Sequence, residues 1–292
     1  MNSDQTPNPI DELLRARLRI TEGAERRIKA LRIGMSAYDA ISRRLTGYSF
    51  FALREGEEVL RTLDGRVGAD LVETLLGMNG GTEIVAHGLD NIPEHGPVVI
   101  GATHPVGTFD FIAHAGAMLA RRPDLKVVSN REAERFLGPE RIVAVDLDRS
   151  DRVLTARQTL EGMQDHLTQG GALLVFGSGR VANKARGLLV EPPWRSGITR
   201  ISAKTDAPVI PASADLQNSK HYYRTRRFAQ FVTGGNEYLG REIASLRYSS
   251  ELIAKLGGRY EVHYGNKLAP GTPPADIKAA AERLVPGLYR PA

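Results

Sequence analysis

The chain has no cysteine in 292 residues. Disulfide staples, thiolate-held zinc, iron–sulfur clusters and a thiol nucleophile are therefore excluded, and nothing in the composition asks for an oxidising compartment. Tryptophan occurs once. No apolar run reaches the roughly 18 residues that a membrane-crossing helix needs. The polar start, Met-Asn-Ser-Asp-Gln-Thr-Pro-Asn-Pro, lacks the apolar stretch of a secretory signal. The expectation is a cytoplasmic protein, free or peripheral on the inner face of the cell membrane. Internal repeats and low-complexity tracts are also missing, which leaves a chain long enough to bury a core of its own.

What is present is unevenly placed positive charge. The formal net charge is +5. Residues 15–44 hold nine basic side chains against three acidic ones, so one segment carries the whole excess. Its apolar positions, Ile10, Leu13, Leu14 and Leu18 and then Ile28, Leu31 and Met35, recur at helical spacing. These are helices with basic outer faces. Two readings stay open for them: a solvated charged face, or an interfacial contact with an anionic surface, aided by Tyr48, Phe50 and Phe51.

Taken in order, residues 1–9 read as a disordered tail, 10–80 as an N-terminal helical segment with a membrane-interfacial role open to it, and 81–292 as one α/β domain. Residues 66–79 predict a helix closed by Gly80-Gly81, and Glu83 to His87 a hairpin-like piece. Val98 to Ala102 is a continuous apolar run, as expected of a strand buried on both faces. Strands at 126–129, 141–146, 172–176, 208–214 and 259–264 alternate with helices at 111–121, 132–136, 153–167, 198–204, 238–256 and 274–284. This alternation predicts an α/β fold with a mixed, mostly parallel sheet flanked by helices.

In such sheets, ligands gather beyond the carboxyl ends of the strands. Three of the expected strand ends carry polar loops: Thr103 to Asp110, Asp146 to Arg152, and Gly177 to Arg186. His104 and Asp110 suit a base and its orienter, the carboxylate fixing the imidazole tautomer; on spacing alone a structural histidine is the stronger reading. Arg149, Arg152, Lys184 and Arg186 fit either phosphate binding or ordinary solvated loops. The glycines of Phe176-Gly177-Ser178-Gly179-Arg180 let backbone N–H groups approach a phosphate or an oxyanion, and the spacing is that of neither a nucleophile elbow nor a P-loop. His87, His95, His114, His166, His221 and His263 are scattered without metal-ligand spacing. The run His221 to Phe228 interleaves aromatics and cations, and reads as a nucleic-acid or lipid contact or as a basic loop.

Four of these pieces, in this order, resemble the lysophospholipid acyltransferase family, the PlsC-like glycerolipid acyltransferases. The similarity is to the branch that includes hemolysin-like and lyso-ornithine-lipid acyltransferases, where His and Asp are separated by five residues, as in His104 to Asp110. Val145-Asp146-Leu147-Asp148-Arg149 is similar to the family's second motif, Phe176-Gly177-Ser178-Gly179 to its Phe-Pro-Glu-Gly motif, and Pro208-Val209-Ile210-Pro211 to its fourth. The resemblance implies the PlsC-like fold and transfer of an acyl group from acyl-CoA or acyl carrier protein, as substrate, to a lyso-lipid acceptor.

By that resemblance His104 is the base, Asp110 its partner, and Arg149 the acceptor's anchor. Gly177, Ser178, Gly179 and Arg180 line the substrate, with N–H groups near Gly179 facing the oxyanion. An anionic membrane surface is implied as partner; metal, cofactor and nucleic acid are not. The third motif departs from the family, since Gly177 and Ser178 stand where Pro and Glu are usual and the acceptor-binding carboxylate is missing. A catalytically weak lipid- or acyl-chain-binding protein of the same fold is the alternative.

Overall fold

The computed structural model describes residues 8–18, 23–130, 133–134, 138–145 and 152–290, with the side chains of 16–18 and 152–156 excepted. The main elements run α1 (Pro9–Leu18), α2 (Glu25–Thr46), α3 (Leu53–Thr62), α4 (Gly68–Gly77), β1 (Glu83–His87), β2 (Val98–Ala102), α5 (Thr108–Met118), β3 (Lys126–Ser129) and β4 (Ile142–Ala144). They continue as α6 (Arg152–Thr168), β5 (Ala172–Phe176), β6 (Asn183–Ala185), β7 (Leu188–Val190), α7 (Gly197–Thr205) and β8 (Val209–Ala214). The last are α8 (Lys220–Val232), α9 (Glu237–Ser245), α10 (Tyr248–Ile253), β9 (Arg259–Tyr264) and α11 (Pro274–Arg283). By contacts the chain divides into two compact units, Met1–Gly65 with Ser219–Leu256, and Arg66–Asn218 with Gly257–Ala292.

The second unit is a seven-stranded sheet in the order β1-β9-β8-β2-β5-β3-β4, flanked by helices. All pairings are parallel except β8 with β9, so the fold is mixed and mostly parallel α/β, as the alternation predicts. Every residue of β2 is buried, because β8 and β5 flank it and helices cover both faces. That double covering is why the strand reads as an unbroken apolar run. Gly101 marks the tightest point: a Cβ there would lie 2.7 Å from Ile198, 3.1 Å from Ile277 and 3.2 Å from Trp194. Val99, Leu173, Trp194, Ile198, Val209 and Ile277 belong to one buried cluster around this strand.

In the first unit, Ile10, Leu14, Ile28, Met35 and Leu53 close a small core between α1, α2 and α3. Asp39 is buried in α2 and its carboxylate accepts the N–H groups of Phe51 (2.6 Å) and Leu53 (3.0 Å), satisfying donors at the start of α3. The buried Arg247 donates to Phe50 O at 2.6 Å and lies over the Phe50 ring. No described helix is long and apolar enough to cross a membrane.

Several elements differ from expectation. Glu83–His87 forms an edge strand, β1, paired in parallel with β9 from Glu83↔Arg259 to His87↔His263; local sequence carries no sign of a partner so far along the chain. The basic stretch after His221 is helix α8, capped by Ser219, whose side chain accepts from Tyr222 N. The helix expected over 238–256 is two, α9 and α10, broken where Arg247 turns inward. Of the tail expected at 1–9, residues 1–7 lie outside the described part, while Asn8 caps α1 by accepting from Ile10 N at 2.9 Å. The helix expected at 132–136 also falls largely outside.

Overpacking the close point of β2 tests this arrangement. Gly101→Val is expected to cost about 1–3 kcal/mol, since buried side chains on two helices cannot both give way; urea unfolding measures it, and a loss under about 0.5 kcal/mol, the range of an ordinary surface substitution, is the contrary outcome.

Candidate active site

Strand β2 ends at Ala102, and the next two residues diverge in role. Thr103 turns inward, where its Oγ1 meets Ser213 Oγ at 2.9 Å and accepts from Tyr289 Oη at 2.8 Å. This buried hydroxyl group ties the carboxyl ends of β2 and β8 to the C-terminal segment. His104 follows at the mouth. Its Nδ1 lies 2.7 Å from Asp110 Oδ2, and the Asp110 side chain has no exposure.

Asp110 sits in the first turn of α5, where its carboxylate also accepts the N–H groups of Val106 (3.0 Å) and Gly107 (2.9 Å). Gly107 is the residue before the helix, with φ of 100°, a backbone state that suits glycine. The loop returns on itself because the carboxylate gathers its amides at a helix N-terminus, where negative charge is favoured. A carboxylate only accepts, so Nδ1 carries the proton and donates it, and Nε2 keeps its lone pair. The imidazole stacks on Phe176 with ring centroids 4.4 Å apart. Below, His114 is fully buried with Nδ1 3.1 Å from Tyr264 Oη. Burial, helped by the nearby imidazole of His104, pushes its pKa down to about 4. His114 is thus uncharged at neutral pH.

The turn after β5 is held close. Gly177 N donates to Ala102 O (3.1 Å), Gly179 N to Phe176 O (2.9 Å) and Arg180 N to Ser178 Oγ (3.2 Å). Ala182 N donates to His104 O at 2.8 Å, so the turn is laced to the histidine. Of the N–H groups near Gly179 expected to face an oxyanion, those of Gly177, Gly179 and Arg180 already donate to protein acceptors. Ser178 is buried, while Gly179 and Arg180 are exposed at the rim.

Sequence reasoning missed Glu191. The hairpin of β6 and β7 turns on Arg186 and Gly187, both at positive φ (51° and 87°), the backbone of a two-residue hairpin turn. One residue past β7, it delivers a carboxylate that is only 4% exposed. Glu191 Oε2 accepts from His104 N at 3.3 Å, Oε1 accepts from Trp194 Nε1 at 3.2 Å, and Ser178 lies beside the carboxylate. Burial raises its pKa to about 7 despite these donors. A Cβ at Gly177 would lie 2.0 Å from the Trp194 indole. The glycine at 177 therefore makes room for the tryptophan that holds Glu191. The signal was Glu191-Pro192-Pro193-Trp194, a carboxylate just before the lone tryptophan.

The structure thus brings His104, Asp110, Gly177 and Ser178 together, with Gly179 and Arg180 beside them. Residues 146–151, Arg149 among them, lie outside the described residues, as does the side chain of Arg152. Lys184 donates to Gln217 Oε1. Among the described residues one group has ligand atoms close enough to share a metal: His87, Glu261 and His263, all within 4.8 Å. Sheet register gathers these otherwise scattered histidines. Their rings stack at 10° with centroids 4.6 Å apart, so the in-plane lone pairs run side by side and do not converge.

Residues 83–215 match the model of the family described as Acyltransferase. The matched stretch runs from β1 through β8 and holds the His104, Asp110, Ser178 and Glu191 cluster. Among solved structures, the chain is similar to the 1-acyl-sn-glycerophosphate (LPA) acyltransferase PlsC from Thermotoga maritima, at 14% identity over 80% of each chain with a TM-score of 0.45. No curated protein matches the chain in sequence.

Because the tryptophan is the only one, its emission reports on this cluster. The emission is expected to titrate with a midpoint near pH 7, as Glu191 ionises against the indole N–H, and Glu191→Gln is expected to remove that titration. The native state binds this proton better than the unfolded chain does. Between the ordinary value of 4.5 and about 7, stability should therefore fall as pH rises, by roughly 3 kcal/mol in all. A flat emission profile across that range, or an unchanged slope of stability in Glu191→Gln, contradicts the assignment.

Proposed function

We propose that the chain is an acyltransferase that moves a fatty acyl group from the thioester of acyl-CoA or acyl carrier protein to the hydroxyl of a lyso-lipid acceptor. The observation that carries this reading is the 2.7 Å pairing of His104 Nδ1 with the fully buried Asp110, within a stretch that matches the acyltransferase family. Nε2 takes the acceptor's proton, the acceptor oxygen attacks the thioester carbonyl, and the C–S bond breaks to release the thiol. An ester forms, and the proton held on His104 passes to the thiolate. Asp110 keeps the tautomer and stabilises the imidazolium in between.

The five-residue spacing and the replaced glutamate favour the branch that includes hemolysin-like and lyso-ornithine-lipid acyltransferases. Arg149 anchors the acceptor's anionic headgroup in this reading, and Arg180 supplies a second cation at the rim. Glu191 stands beside the base as the carboxylate that faces the acceptor. The basic helices α1 and α2 seat the enzyme on anionic lipid at the cytoplasmic face of the membrane. A second reading, a catalytically weak lipid- or acyl-chain-binding protein, draws support from the engaged N–H groups of Gly177, Gly179 and Arg180.

Thiol release from acyl-CoA or acyl carrier protein in the presence of lysolipids separates the two. His104→Ala is expected to lower turnover about 10²–10⁴-fold, the usual worth of a positioned general base, with lipid binding retained. Turnover at the wild-type rate in that variant sinks the reading, and binding without turnover in the wild type favours the alternative.

A further inference from the structure

The geometry points to the helical hairpin of α8 and α9 as a membrane-inserting element, its tip entering an anionic lipid leaflet. The two helices pack so closely that a Cβ on Gly240 would lie 3.0 Å from Arg226 O and from Gln230 Cβ. The base of the hairpin is fixed: Glu251 accepts from Ser219 N at 2.7 Å and from Ser219 Oγ at 2.5 Å. Tyr222, Tyr223, Arg226 and Ala229 form the buried face of α8. The opposite face carries Phe228 at 68% exposure and Phe231 at 82%, joined near the turn by Val232, Tyr238 and Leu239, all exposed. A soluble unit gains nothing by presenting two phenylalanines to water, and a cluster of this kind marks a surface with a partner.

Three features commit the partner to lipid. First, α8 exposes Lys220, Arg224 and Arg227 and contains no acidic residue, so it suits an anionic surface. Second, the two kinds of side chain are segregated along the axis. Arg224 precedes Phe231 by seven residues, or about 10 Å of helix, and an interfacial helix seats its apolar side chains roughly 5–10 Å into the headgroup and acyl boundary while its cations meet phosphate. A protein partner has no reason to be layered in that way. Third, the turn is internally satisfied. Gly235 N donates to Gln230 O (2.8 Å), Gly234 N to Phe231 O (3.2 Å), Thr233 Oγ1 to Ala229 O (2.7 Å), and Asn236 Oδ1 accepts from Leu239 N (3.1 Å). These are helix-end groups that normally rely on water, and with protein partners they can leave it.

This extends the anionic-surface reading of α1 and α2 to a second element, and it is tested without turnover, so its failure and the failure of acyl transfer are separable. The full chain is sedimented with phosphatidylcholine vesicles with and without phosphatidylglycerol. Phe228→Ser/Phe231→Ser is expected to lower partition into the anionic vesicles by about tenfold or more. Arg224→Gln/Arg227→Gln should lose the preference for anionic vesicles. Thiol release with detergent-dispersed substrate should be unchanged in both. A Phe231→Trp variant, read as the difference from wild type, should be quenched by lipids brominated in the acyl chain. Wild-type partition of the Phe pair, or absence of quenching, overturns the proposal. So does concentration-dependent self-association that the Phe pair abolishes, which would make a second copy the occupant.

Discussion

The site depends on one buried carboxylate. Asp110 has no contact with water, and a charge in that position is tolerable only because its oxygens collect His104, Val106 N and Gly107 N at the start of a helix. The same bonds that solvate the charge also shape the loop. Removing any one of them leaves an unpaired group in a closed space, so the imidazole's orientation, the return of the chain at Gly107 and the start of α5 are a single arrangement. An imidazole on a loose loop would have no fixed direction; that of His104 is set by the fold itself.

Around that pair lies a second set of residues that change together. Gly177, Ser178, Glu191 and Trp194 look unrelated in sequence, yet the indole fills the volume a side chain at 177 would take, and its N–H holds the carboxylate that reaches His104 N and Ser178. Residues far apart in sequence thus hold an acidic group next to His104, and burial raises its pKa to about 7. Below His104, His114 is held neutral by the same low-dielectric surroundings. The three histidine and glutamate environments differ although the residues lie close together, because burial and donors are apportioned differently to each.

The central strand, the parallel sheet and the His104 to Asp110 pairing were legible, since each is written within a few neighbouring residues: an apolar run, a βα alternation, a base and a carboxylate one loop apart. What escaped is non-local. The pairing of β1 with β9 joins residues 83 and 259, and nothing in Glu83 to His87 announces it. Glu191 was passed over because its significance arises only when the β6–β7 hairpin folds back onto β2. Helix α8 was hidden by its composition, aromatic and basic residues that suit a loop or a surface equally well, until the Ser219 cap and the buried face of Tyr222 and Ala229 defined it.

The two-residue turn at Arg186 and Gly187 is small, but it sets the phase of everything after it. Side chains alternate across a strand, so adding or deleting one residue in that turn would exchange the inward and outward positions of β7 and carry Glu191 from the base to the solvent. The acid next to the histidine is thus governed by parity of chain length in a surface hairpin, whereas the histidine itself is governed by the core. Evolution can therefore retune the polar lining around His104 by loop insertions that leave the sheet and the histidine untouched.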